Sequence, residues 1–183
     1  MNRFITSFAF LALAPTLSFA QAAPAAAPST TPVADALRDG LARSSKRITA
    51  AAEAMPADKF SFKPTPDQST FAHLTIHIAE SNYLFCSKVS GTAAPEGAKL
   101  TEADGKDKLV AAVKNSFEFC STALAKVDDS HLGDQIPLFG GHNVSRAGVI
   151  LILSGSWADH YGAQAMYLRL NGVVPPTAQP AAH

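Results

Sequence analysis

Two histidines four residues apart, His73 and His77, are the first side chains in this sequence whose spacing points to chemistry. On a helix that interval projects both rings from one face, the geometry that lets a single helix chelate a metal ion. The structural alternative is two rings that bond backbone carbonyls or meet solvent at the edge of a core. His160 lies in a second apolar stretch, beside Asp159 and four residues after Ser156. A Ser-His-Asp triad from these three fails, because adjacent Asp159 points away from His160 on a helix. No G-x-S-x-G, Walker or dinucleotide string is present, so neither a nucleophile elbow nor a phosphate cradle is expected. His131 and His142 fall in a turn-rich connection and His183 ends a Pro/Ala tail; all three are expected to be exposed.

The elements that must position these groups follow from periodicity. Val33, Leu37, Leu41, Ile48 and Ala52 predict a first helix over 33–55. A second, capped by Ser69, carries Phe71, Leu74, Ile78 and Phe85 and ends near Gly91; a third over 106–127 carries Leu109, Val113, Phe117 and Leu124. The fourth starts at a Ser145 cap and runs to about Asn171, with Val149, Leu153, Ser156, His160, Ala163 and Tyr167 turned inward. Residues 91–105 read as a loop and 128–141 as a turn-rich connection. No stretch alternates long enough for a strand. Four helices with one apolar face each pack most economically as an all-α four-helix bundle, here over residues 33–176.

Composition narrows the function. The 183 residues are 47% hydrophobic and 16% charged, with 15 Lys+Arg against 15 Asp+Glu. That balance leaves no basic excess for nucleic acid. Residues 1–20 combine Arg3, an apolar run and a small-residue end at Ala20, the pattern of a signal peptide cleaved after Ala20. An Ala/Pro linker over 21–32 and a disordered tail over 177–183 flank the bundle, and the mature chain has no membrane span. Export to the periplasm or beyond places Cys86 and Cys120, the chain's 2 cysteines, where a disulfide persists.

The strings FKPTPDQSTFAHLTIHIAESNYLFCSKVSG, SFEFC and DHYGAQAMYLRLNGVVPP resemble the DinB/YfiT-like superfamily, in its exported branch. The resemblance implies a four-helix bundle that holds a divalent metal, zinc or nickel, with three histidines. It puts one ligand at His77 and another at His160, with the third position falling on Ser156. A hydroxyl is a poor ligand beside an imidazole, so a rearranged set of His73, His77 and His160 is one alternative, with Ser156 holding a water. Glu80, Asp159 and Gln164 are then reserve donors or partners that fix an imidazole tautomer. The function implied is a metal-dependent hydrolase or transferase acting on a small molecule. The alternative is a non-catalytic bundle that binds a metal or small ligand, and a homodimer is an ordinary expectation for such folds.

The cysteine reading has a direct check. Mature exported protein should show no alkylatable thiol before reduction and two after it, by intact mass. Closure of a loop of about 35 residues should stabilise the chain by roughly 3 to 4 kcal/mol relative to the reduced form.

Overall fold

The four helices are α1 (Pro32–Ala54), α2 (Phe71–Ser90), α3 (Lys106–Leu124) and α4 (Arg146–Leu170), in a computed structural model that describes residues 27–96 and 99–180. The expected leader at 1–20 lies outside the described residues, as do the first part of the linker and residues 181–183 of the tail. From 27 onward the linker leads directly into α1, and the tail begins with a 3-10 turn, Pro176–Ala178, rather than free chain. The Thr177 amide donates to the Tyr161 hydroxyl, which lies 2.8 Å from Thr177 Oγ1. This docks the start of the tail on α4.

Side-chain contacts give the helix directions. Asn82 and Cys86 of α2 meet Ser116 and Cys120 of α3, so those helices run parallel. Trp157 of α4 meets Asn82, midway along α2, and Tyr167 meets Ser69, just before its start, so α2 and α4 are antiparallel. Gly40 of α1 faces Trp157, and Arg38 and Glu53 reach the two ends of α3. The bundle therefore runs up, down, down, up. A parallel α2–α3 pair needs a long return, which the 91–105 connection supplies.

The turn-rich connection to α4 contains a hairpin, β1 (Gln135–Pro137) paired antiparallel with β2 (Asn143–Ser145). Strands of 3 residues are too short to show alternation in sequence. At the same end of the bundle, Asp129 accepts from the backbone amides of Val33 and Ala34 at 2.9 and 2.8 Å. It thereby satisfies donors at the start of α1 that Thr31 leaves uncapped. Arg146 donates to the Val89 carbonyl near the end of α2 and to the His131 carbonyl at 3.1 Å, tying the connection down.

Two expectations are corrected by local hydrogen bonding. Thr70 caps α2 in place of Ser69, accepting from the His73 amide at 2.9 Å, while the Ser69 carbonyl accepts from Tyr167 at 2.6 Å. Ser145 does cap α4, accepting from Gly148 N at 3.1 Å. The inward face of α4 is rotated from the expected stripe. Val149, Leu153 and Tyr167 are buried as expected, but Trp157, Gln164 and Leu168 complete the core. Ser156, His160 and Ala163 are only half-buried.

Across this core runs a polar relay. The Trp157 indole donates to Asn82 Oδ1 at 2.8 Å, the Asn82 amide donates to Ser116 Oγ at 3.0 Å, and Ser116 donates to the Val113 carbonyl at 2.7 Å. All three side chains are buried. One turn along, the Cys86–Cys120 disulfide joins the same two helices with Cα atoms 5.3 Å apart. Elsewhere on α4, Gly155 and Gly162 occupy ordinary helical backbone, and a Cβ on either would meet nothing within 4 Å. Each costs the helix about 1 kcal/mol relative to alanine.

Asn82→Ala should leave the Trp157 indole without its acceptor and Ser116 without its donor. Equilibrium urea unfolding should report a loss of about 2 to 4 kcal/mol, against less than about 0.5 kcal/mol for a control at exposed Lys88.

Candidate functional site

The facing sides of α2 and α4 are apolar below and open above, and between them lies a groove of about 590 Å³. Helix α2 contributes His77, Glu80, Ser81, Leu84 and Phe85; α4 contributes Ile152, Gly155, Ser156, Asp159 and His160. Phe139, at the tip of the hairpin, closes one end and stands edge-on to Phe85 with ring centroids 6.2 Å apart. The groove thus has an apolar end of Leu84, Phe85, Phe139 and Ile152 and a polar end around the histidines.

His77 and His160 meet at that polar end. Their ring centroids are 4.9 Å apart and the rings are almost perpendicular, at 87°. Each ring is held by a serine one turn away on its own helix. His77 Nε2 lies 3.4 Å from Ser81 Oγ, and His160 Nδ1 lies 3.1 Å from Ser156 Oγ. The antiparallel pairing that sets Asn82 against Trp157 brings these two imidazoles level one turn further along. Burial is the main force holding the His160 ring below its ordinary protonation range, and neighbouring His77 adds to it; Asp159 opposes both. A neutral imidazole can both donate and accept a hydrogen bond.

The remaining sequence-predicted residues are placed as follows. Glu80 and Asp159 are exposed on the groove walls. His73 is turned out of the groove: its Nδ1 lies 3.3 Å from Glu102 Oε1 on the α2–α3 connection. The same carboxylate accepts from the Thr70 hydroxyl at 2.6 Å. The Thr70 hydrogen bond first, and His73 second, lower the Glu102 pKa. Gln164, one turn beyond His160, is fully buried, and neither atom of its amide has a hydrogen-bond partner among the described residues. His131 and His142 are exposed, His131 beside Asp134 at 3.2 Å.

A catalytic metal needs about three protein donors and an open position. Among the described residues, no three or more His, Cys, Asp or Glu side chains are grouped to hold an ion. The two imidazoles face each other, but the third position carries the Ser156 hydroxyl, bonded to His160. The donor set therefore does not fit a three-imidazole site. Sequence reasoning missed the groove residues Phe139, Ile152 and Gly155. Phe139 lies in a connection without periodicity, and the rotation of α4 hid Ile152. Ser81 could have been found, since it follows His77 at the interval that also separates Ser156 from His160.

A family model described as the DinB superfamily matches residues 40–163. Three solved structures share the fold. A DinB-like protein from Bacillus subtilis superposes with a TM-score of 0.64 at 21% identity, over 80% of this chain and 99% of its own. A DinB-like protein from Bacillus cereus gives 0.64 at 12% identity, over 78% and 95%. A conserved protein from Enterococcus faecalis gives 0.61 at 17% identity, over 75% and 96%. None of the curated proteins matches.

The His160 environment fixes the sign of a pH effect. Its folded pKa lies below the ordinary 6.5, so as pH falls the unfolded chain takes up a proton before the folded one. Stability present above about pH 6.5 should decline as pH falls toward about pH 5, before the carboxylates contribute. Urea unfolding across that range should show the decline in the wild type and a flatter profile in His160→Gln.

Proposed function

The chain belongs to the DinB superfamily, and on that footing we propose that it is a small-ligand-binding bundle using the α2–α4 groove. The observation that carries this reading is the juxtaposition of an apolar wall with a polar end that lacks a third strong metal donor. A ligand of matching chemistry has an apolar body against Leu84, Phe85, Phe139 and Ile152. Its uncharged, hydrogen-bonding end meets His77 and His160. Glu80 and Asp159 on the walls make the groove unfavourable to anions.

The metal-dependent hydrolase or transferase reading is favoured by one observation, the approach of the two rings. Metal–nitrogen bonds of about 2.0–2.1 Å place two imidazoles sharing an ion roughly 5 Å apart by ring centre, close to the 4.9 Å found. Export is part of the proposal: the Cys86–Cys120 disulfide supports an oxidising compartment, and residues 1–20 supply a leader.

One preparation separates the readings. Mature protein should bind the neutral apolar dye Nile red, and Ile152→Asp should weaken binding about tenfold, equivalent to about 1.4 kcal/mol. Metal content should be far below one equivalent. Zinc or nickel at one equivalent, lost in both His77→Ala and His160→Ala, together with hydrolase or thiol-transfer turnover, would establish the enzyme instead.

A further inference from the structure

The groove between α2 and α4 has a charge pattern that four other hollows of the surface lack. Its lining includes the carboxylates of Glu80 and Asp159 and, among the described residues, no lysine or arginine. Each of the other four carries at least one basic side chain, such as Arg146, Lys46, Arg38 or Lys106. The whole chain balances 15 Lys+Arg against 15 Asp+Glu, so the excess of carboxylates is a local property of this groove. Lys88, one turn beyond Leu84 on α2, lies outside the lining.

Helix register sets the two carboxylates across from each other. Asn82 is level with Trp157. In an antiparallel pair, two residues back along α2 match two residues forward along α4, which puts Glu80 opposite Asp159. The same count puts Leu84 opposite Gly155. A Cβ on Gly155 would meet nothing within 4 Å, so the space in front of Leu84 is open groove rather than packed helix contact. Glu80 and Asp159 are exposed, and neither joins an ion pair among the described residues. A cation arriving there displaces no internal partner. The aromatic end does not oppose it either, because the faces of rings such as Phe85 and Phe139 attract positive charge.

We propose that the ligand of this groove is an organic cation, with an apolar body against Leu84, Phe85, Phe139 and Ile152 and a positively charged nitrogen held between Glu80 and Asp159. The nitrogen lies about 6 Å from the middle of the apolar body, the rise of the four residues that separate Glu80 from Leu84. Gly155 leaves room for the body at the level of Leu84, and the two imidazoles remain for the uncharged end. The inference rests on the reading of the groove as a ligand site and adds the charge of what it holds.

Two dyes with the same fused-ring body separate charge from shape. Nile red has a neutral carbonyl oxygen where Nile blue has a positively charged nitrogen. Fluorescence titration of the mature, disulfide-intact chain at neutral pH and low salt should show Nile blue bound at least about tenfold more tightly than Nile red. Glu80→Gln combined with Asp159→Asn should bring the two dyes to within about twofold of each other, with unchanged far-ultraviolet circular dichroism. Gly155→Leu, which fills the groove and replaces a helix-weakening residue, should weaken both dyes. Nile red bound with Nile blue no tighter overturns the cation and leaves the groove reading standing. A Nile blue preference that survives in the double variant also overturns it, because the charge is then sensed elsewhere. Binding of neither dye, or binding indifferent to Gly155→Leu, overturns the groove reading and this inference with it.

Discussion

The hydrogen bond from the Trp157 indole to Asn82 sets the register between α2 and α4, and the site follows from that register. Asn82 has one donor group and one acceptor oxygen to place in a dry core, and it uses the oxygen on α4 and the amide on α3. Such a buried polar relay is favourable only when every member is satisfied. Sliding α4 by one turn would break it and bury an unpaired indole. Hydrophobic burial alone has no such preference, since Leu153, Leu168 and Tyr167 would find apolar neighbours in several registers. The relay therefore sets which residues of α2 and α4 stand opposite one another, and His77 opposite His160 is one result.

The disulfide holds α2 from the other side, through α3. Cys86 and Cys120 hold α2 parallel to α3, an orientation the chain reaches only through the long return at 91–105. With α2 fixed at Asn82 and Cys86, the groove between α2 and α4 has one rigid wall. Across the groove on α4, burial first and His77 second hold the His160 ring below its ordinary protonation range, while Glu80 and Asp159 line the outer walls.

Much of this was legible in the amino-acid order. Prolines, caps and periodic apolar residues marked four helices and a bundle, and Ser145, Gly91 and Gly172 ended or began elements where expected. Less legible was rotation. Helix α4 is apolar on nearly every face, with Leu151, Ile152 and Met166 outside as well as Leu153 and Leu168 inside, so periodicity could not fix its inner side. Trp157 decides it, through a partner 75 residues away that no local pattern reveals. His73 illustrates the same limit. Its spacing from His77 was correct for a shared face, but Glu102, on a loop without periodicity, holds it elsewhere. Hydroxyl partners at one-turn intervals, Ser81 and Ser156, were within reach of sequence reasoning because they lie on the same helices as their histidines.

Asp129 has a consequence for the order in which the molecule assembles. The first turn of α1 is synthesised early, yet the carboxylate that satisfies its amides lies 95 and 96 residues downstream. Neither of its bundle neighbours, α3 and α4, is adjacent in sequence. A ribosome therefore releases a helix whose beginning stays uncapped until most of the polypeptide has emerged. Completion of the N-terminal turn is a late event, and a chain truncated before residue 129 lacks the means to finish it.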